Sequence, residues 1–247
     1  MKRLAIIQAR TGSTRLPGKV LMPLGGSTVL GCVVDRLSAA HHIDEIVVAT
    51  STEKADDAVE RHTQALGVRI FRGSALDVLA RFYGAATAFH GEVVVRITAD
   101  CPLIDGALID AMLEAYAQTP DCDYLSNTLE RTYPRGLDAE IFTMDGLERA
   151  YRDARAPYER EHVTPYFYQH PEIFGLHSYT NPNGADHSHF RWTLDTPEDY
   201  AFLQAIYQRC APSAPREVKT AAVIALLERE PDLAQLNAAV PQKVLGE

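Results

Sequence analysis

Apolar positions fall in short runs separated by polar, glycine-punctuated segments through the first hundred residues. Residues 4–9 form an apolar run bounded by charge, short enough for a buried strand. Residues 45–50, 68–71 and 92–98 repeat that pattern with Val and Ile. Between them, residues 28–40 place Leu30, Val33, Val34 and Leu37 at helical spacing behind Thr28 as a cap. Residues 54–66 read as a helix stopped by Gly67. Residues 74–89 read as another, with Leu76, Leu79, Phe82 and Tyr83 on one face. Strands and helices alternating at this spacing predict a parallel sheet covered on both faces.

After about residue 120 the pattern changes. Residues 123–127, 138–143 and 173–180 read as strands, and 143–155 and 158–170 as helical. Residues 181–188 are a polar loop, 191–194 a short strand, and Thr196-Pro197-Glu198 opens a helix with proline in its first turn. A proline-rich joint at 211–215 precedes a last helix over 216–230.

The composition is that of a folded globular chain: 247 residues, 46% hydrophobic and 23% charged. The longest uncharged stretch, residues 20–34, is too short and too rich in Gly, Pro, Ser and Thr to cross a bilayer. The apolar run after Met1 ends at Gln8, shorter than a secretory core, so the expected setting is the cytoplasm without membrane attachment. Cys32, Cys101, Cys122 and Cys210 are scattered, with neither metal-site nor redox spacing. A net charge of −9 argues against nucleic acid as a partner. Yet residues 1–36 carry Lys2, Arg3, Arg10, Arg15, Lys19 and Arg36 against Asp35 alone, either a local anion site or a solvated positive edge.

The loop after the first strand favours the anion site. Gly12 and Gly18 allow tight turns and close approach of a ligand to the backbone. Ser13 and Thr14 add hydroxyls, and Arg10, Arg15 and Lys19 add three cations. In open α/β sheets ligands bind beyond the carboxyl ends of the strands, where this loop lies. It is not the ATPase loop, because the two glycines are one residue too far apart and Val20 stands where a magnesium-binding hydroxyl is needed. No dinucleotide glycine fingerprint occurs.

Ala9-Arg10-x-Gly12-Ser13-Thr14-Arg15-Leu16-Pro17-Gly18-Lys19 resembles the nucleotide-binding loop of the sugar-acid cytidylyltransferases, in the spore-coat polysaccharide branch. The resemblance continues in order through Phe71-Arg72-Gly73-Ser74-x-x-Asp77-Val78-Leu79-x-Arg81-Phe82 and Arg96-Ile97-Thr98-x-Asp100-Cys101-Pro102. It then covers Arg131-Thr132-Tyr133-Pro134-Arg135-Gly136-Leu137-Asp138, Glu159-Arg160-Glu161-His162-Val163-Thr164-Pro165-Tyr166, and Arg191-Trp192-Thr193-Leu194-Asp195-Thr196-Pro197-Glu198-Asp199. The last 35 or so residues match no motif.

The resemblance implies an α/β fold, a three-layer α/β/α nucleotidyltransferase (GT-A-like, Rossmann-like) with a mixed, mostly parallel sheet and a small α+β insertion. Its parts would be a nucleotide-binding half (1–122), an acceptor-binding and dimerisation insertion (123–190), a return to the core with the metal site (191–212) and a helical extension (213–247). It implies CTP and an acidic sugar as substrates, Mg2+ as cofactor, and a homodimer. Arg10, Lys19, Asp100 and Asp195 would carry catalysis, the two aspartates binding the metal. Ala9, Arg10, Gly12, Ser13, Arg15, Lys19, Arg72, Ser74, Asp77 and Thr98 would hold the nucleotide. Arg135, Asp138, Glu140, Glu159, Arg160, Glu161 and His162 would hold the acceptor. The tyrosines of the insertion, Tyr151, Tyr158, Tyr166 and Tyr168, suit either a dimer interface or internal packing.

Blander readings stand beside these. Asp100 and Asp195 each precede a proline and could be helix caps. Glu159, Glu161 and His162 could be ordinary charges on a helix surface. Asp121-Cys122-Asp123 has the D-x-D form of a nucleotide-sugar glycosyltransferase, a rival activity. Asp186-His187-Ser188-His189 fits no zinc spacing, and Trp192 suits the core better than a base-stacking role.

Overall fold

The computed structural model describes residues 1–210 and 214–242, so residues 211–213 of the proline-rich joint lie outside it. In chain order the elements are β1 (Arg3–Gln8), β2 (Pro23–Leu24), β3 (Ser27–Thr28), α1 (Val29–Leu37), β4 (Glu45–Ser51), α2 (Asp57–Ala65), β5 (Arg69–Gly73), α3 (Val78–Ala88), β6 (Val93–Thr98) and α4 (Gly106–Gln118). There follow β7 (Tyr124–Ser126), β8 (Glu140–Thr143), α5 (Met144–Asp153), α6 (Pro157–His162), α7 (Pro165–Tyr168), β9 (Leu176–Ser178), α8 (Pro197–Cys210), α9 (Thr220–Arg229) and α10 (Asp232–Gln235).

Seven strands form one sheet in the order β5-β4-β1-β6-β8-β7-β9, and β2 and β3 form a separate ribbon. Within the seven-stranded sheet β8 runs antiparallel to β6 and β7, while the other ladders are parallel. The strands of the segment read as an insertion therefore extend the main sheet. The alternation of side chains explains the layers. Ala5, Ile7, Val95 and Ile97 pack on one face with α1, α4, α8 and α9. Leu4, Ile6, Val94, Tyr124 and Phe142 pack on the other with α3, α5 and α7. Because both faces are covered, the central strands are apolar throughout, which is why they read as runs rather than as alternation.

Several helices begin where a side chain accepts an otherwise unpaired backbone N–H, among them Thr28 for α1, Asp77 for α3, Asp105 for α4 and Thr143 for α5. Asp77 starts α3 later than the sequence pattern suggests, and Leu76, expected on its buried face, is 83% exposed. The pattern reading assigns no element to residues 106–118, where α4 packs Leu108, Ile109, Met112 and Leu113 into the core. The helix expected over 158–170 is two short ones, parted at Val163 with φ 73°. The strand expected over 191–194 is a single bridge between Arg135 and Arg191. The last helix begins at Thr220, after a 3-10 turn at Pro215–Glu217.

Two features place the site. The chain runs outward from β1 to β4 and β5, then returns to β6 on the other side of β1. The carboxyl ends of β1 and β6 are therefore the point where the connections diverge, the usual crevice of such sheets. Buried Arg36 donates to the carbonyls of Leu103, Ile104, Pro215 and Val218, so the C-terminal extension is tied to the loop that follows β6.

Candidate active site

The loop leaving β1 is fixed at both ends. Asp56 accepts from the Thr11 backbone and hydroxyl, each at 2.7 Å, and from the Ser51 hydroxyl. Burial alone would raise the Asp56 pKa, but these donors hold it below its ordinary value, so it stays a carboxylate. Gly18, with φ +70°, donates its N–H to Thr11 O at 2.9 Å and closes the turn. Among the described residues, the N–H groups of Gly12, Thr14 and Arg15 have no partner within the chain. Such a row of open amides is a concave anion site. It faces a cleft of about 320 Å³ lined also by Gln8, Arg10, Lys19, Thr98, Asp100, Glu161 and Asp195.

Lys19 lies at the floor of that cleft, 8% exposed. Its ammonium donates to Asp100 at 2.7 Å, to Asp195 at 2.8 Å and to the Leu194 carbonyl at 2.7 Å. Burial would lower its pKa, yet the two aspartates raise it, so the cation is retained. Asp195 shows the mirror effect: burial would raise its pKa, and Lys19, Arg15 and Arg191 bring it below its ordinary value. Neither aspartate is a helix cap. Asp105 caps α4, and Asp199 receives the Asp195 and Thr196 N–H groups at the start of α8. Asp195 is brought across by a backbone crossing at Gly136, whose φ is +106°. A Cβ there would lie 2.5 Å from the Trp192 carbonyl carbon.

Three expected cations therefore share one cleft, but none stands free. Arg10 donates to Ala75 O at 2.6 Å, Arg15 pairs with Asp195 at 3.0 Å, and Lys19 spans the two aspartates. The rest of the basic N-terminal segment is elsewhere: Lys2 pairs with Glu45 and Arg36 is buried under the extension. Asp100 and Asp195 converge on one cation, so their hard oxygens suit a divalent ion completed by phosphate and water. Among the described residues no cluster of three metal-ligating side chains exists, so the protein offers no cage of its own.

Several residues expected on the nucleotide are occupied in holding the scaffold. Arg72 pairs with Asp57 and Glu60 and lines neither cavity at this end of the sheet. Asp77 caps α3 and pairs with Arg160, and the Ser74 hydroxyl accepts from the Asp77 N–H. Ala9 is buried, its N–H bonded to Ala49 O.

A second cavity, of about 530 Å³, adjoins the first through Thr98, which lines both. It holds Asp138, Glu140 and His162 of the expected acceptor set, with Arg96, Thr128, Arg131, Thr164 and Tyr168. Its charges are paired: Arg131 with Asp138 at 2.6 Å, and half-buried Arg96 with Glu140. Glu140 also accepts from the Tyr124 and Thr164 hydroxyls, each at 2.6 Å. Burial and the nearby Arg96 lower the His162 pKa, which keeps the ring neutral.

Four residues expected on the acceptor make other contacts in this structure. Glu159 accepts from the Arg155 and Ala156 N–H groups and caps α6. Arg160 is spent on Asp77 and Tyr151 O. Glu161 lies on the other cleft, and Arg135 lines a third cavity beside Trp192. Asp121 and Asp123 line none of these cavities, and Asp123 accepts from the Gly175 N–H, which leaves the D-x-D reading without a site. Asp186 accepts from the Ser188 N–H, and Trp192 is core. Tyr166 and Tyr168 pack against Phe174 and Tyr124, Tyr151 stacks on Tyr83, and Tyr158 bonds Gln169.

Sequence reasoning missed Gln8, Arg96, Arg191 and Asp199. Arg96 carried a signal, because a charge inside a run of valines is out of place in a buried strand unless it is paired.

The family model described as "Cytidylyltransferase" matches residues 4–244. The spore coat polysaccharide biosynthesis protein SpsF of Bacillus subtilis (strain 168) is 38% identical over 237 residues, covering 94% of this chain and 96% of that protein. A 3-deoxy-manno-octulosonate cytidylyltransferase of Solibacter usitatus is 35% identical over 175 residues, covering 67% and 68%. The solved structure of a cytidylyltransferase from Leptospira borgpetersenii superposes with a TM-score of 0.89 at 37% identity, covering 99% of each chain. The expected mixed, mostly parallel nucleotidyltransferase fold is thus present.

Proposed function

The chain belongs to the cytidylyltransferase family and is a CTP-dependent nucleotidyltransferase; on that premise we propose that it transfers CMP from CTP to an acidic sugar of the ulosonic or nonulosonic type, in surface-polysaccharide synthesis. One observation carries the site assignment: Lys19 holds Asp100 and Asp195 within 2.8 Å at the carboxyl ends of β1 and β6.

On this reading the triphosphate lies against the open amides of Gly12, Thr14 and Arg15, with Arg10, Arg15 and Lys19 as counter-charges. Thr98 marks the boundary with the acceptor cavity, so an acceptor hydroxyl entering from the Arg96 side meets the α-phosphorus. The new bond joins that oxygen to phosphorus, the bond to pyrophosphate breaks, and the hydroxyl proton leaves to solvent. Charge grows on the departing pyrophosphate, and fixed cations that need no rearrangement stabilise it most. Asp100 and Asp195 would hold Mg2+, which supplies charge neutralisation of the phosphates and lowers the acceptor hydroxyl pKa. Consumption of CTP fits a cytoplasmic enzyme. We include the homodimer in the proposal, and sedimentation velocity tests it.

The acceptor test follows pyrophosphate release with CTP, Mg2+ and a panel of ulosonic and nonulosonic acids beside neutral sugars, with UTP, GTP and ATP as alternative donors. Turnover with an acid and CTP supports the proposal. Turnover with neutral sugars alone refutes the acceptor class.

A further inference from the structure

The C-terminal extension matched no motif, yet it reaches the proposed metal carboxylate through buried polar contacts. Asn237, 2% exposed, donates to Asp199 at 2.9 Å and to the Arg191 carbonyl at 3.0 Å. Asp199 is fully buried and accepts five hydrogen bonds. Two come from the Arg191 fork, two from the N–H groups of Asp195 and Thr196, and the fifth from Asn237. Arg191 then donates to Asp195 at 2.8 Å and, from its other terminal nitrogen, to Gln242 at 2.8 Å. Asp199 thus fixes the backbone of Asp195 and, through Arg191, one of its carboxylate oxygens.

The geometry points to Asn237 as a positioning residue, acting through Asp199 and Arg191 to aim Asp195 at the ion; this rests on the proposed metal role of Asp195. The physical case is the difference between a buried carboxylate with every donor in place and one missing a donor. Without the Asn237 amide, one Asp199 oxygen keeps only the Arg191 contact and the Arg191 carbonyl loses a partner. The Arg191 fork is then free to shift, and Asp195 shifts with it. Partners one layer behind metal ligands matter to this degree: their loss typically weakens metal binding about 10-fold or more.

The test measures Mn2+ affinity by electron paramagnetic resonance, in the full-length protein with CTP and without acceptor, so that no turnover is needed. Asn237→Ala is expected to bind Mn2+ about 10-fold more weakly. Asn237→Asp, which keeps the shape but puts a second carboxylate against Asp199, is expected to be weaker still. Leu147→Ala, a core truncation in α5 on the opposite face of the sheet, serves as the control for destabilisation. It is expected to lower the melting temperature and leave Mn2+ affinity unchanged. Unaltered affinity in Asn237→Ala, or an equal loss in Leu147→Ala, overturns the inference. Asp195→Ala separates the two levels. If it binds Mn2+ as tightly as the unmodified chain, the metal reading falls and the inference falls with it. If Asp195→Ala loses Mn2+ while Asn237→Ala does not, only the inference falls.

Discussion

The two adjoining cavities are built on opposite principles. The cleft around Lys19 is built mainly on one contiguous loop and the ends of β1 and β6, to which Asp195 and Glu161 are added, and two carboxylates converge on one ammonium. The cavity around Arg96 is assembled from distant segments, and its charges are cancelled in separate pairs. The first suits a ligand of high charge, which can exchange partners with the groups already there. The second suits a ligand recognised by shape and hydroxyl groups, with charge discriminated locally. The difference teaches that charge near a site says little until its pairing is known.

Substitutions break this comparison in graded fashion. Lys19→Met is expected to have the largest effect, lowering kcat/KM for CTP by about 100- to 1,000-fold, as loss of one preorganised donor to a developing charge does. Steady-state kinetics with a saturating acceptor measure it. On the other side, Glu140→Ala removes the buried carboxylate that pairs the half-buried Arg96 guanidinium. It is expected to lower unfolding free energy by about 3 kcal/mol, read from urea denaturation. If instead it alters turnover and leaves stability alone, the paired-charge description of that cavity is wrong.

Acidification sharpens the contrast further. Because Lys19, Arg15 and Arg191 hold the folded-state pKa of Asp195 below its ordinary value, its stabilising contribution is complete above the ordinary carboxylate range and is lost as pH falls through the lower, folded value. Melting temperatures taken from about pH 6 to about pH 3 should fall less steeply in Asp195→Asn than in the unmodified chain. The smallest effect is expected at Asp123→Ala, which removes one loop contact to Gly175; turnover should stay within about twofold. An abolished activity there would revive the glycosyltransferase reading.

The same contrast explains what could be read in advance. Gly12, Gly18, Arg10 and Lys19 sit within one loop, so their spacing alone states a chemistry. Asp100 and Asp195 were legible as carboxylates just past apolar runs, but their meeting at Lys19 depends on the strand order. The partners of Arg72, Asp77 and Arg160 could not be read in advance because packing chooses them: Asp77 and Arg160 are 83 positions apart. Glu159 looked like a ligand-facing acid and is a cap, a role fixed by where α6 happens to start. The helix α4 went unassigned although Leu108, Ile109, Met112 and Leu113 carry its spacing. Arg191 and Asp199 belonged to a motif, but nothing in their order reveals that one buried carboxylate would gather five donors.

The ammonium of Lys19 has one more consequence. In the free protein this side chain acts as a resident counter-ion, neutralising the two aspartates from within. On the proposed reading, a dissolved divalent ion competes for a seat that is already taken. It gains entry only when a polyanion offers the ammonium somewhere else to go. Substrate and ion are then expected to bind as one event, governed by a single side chain that changes partners.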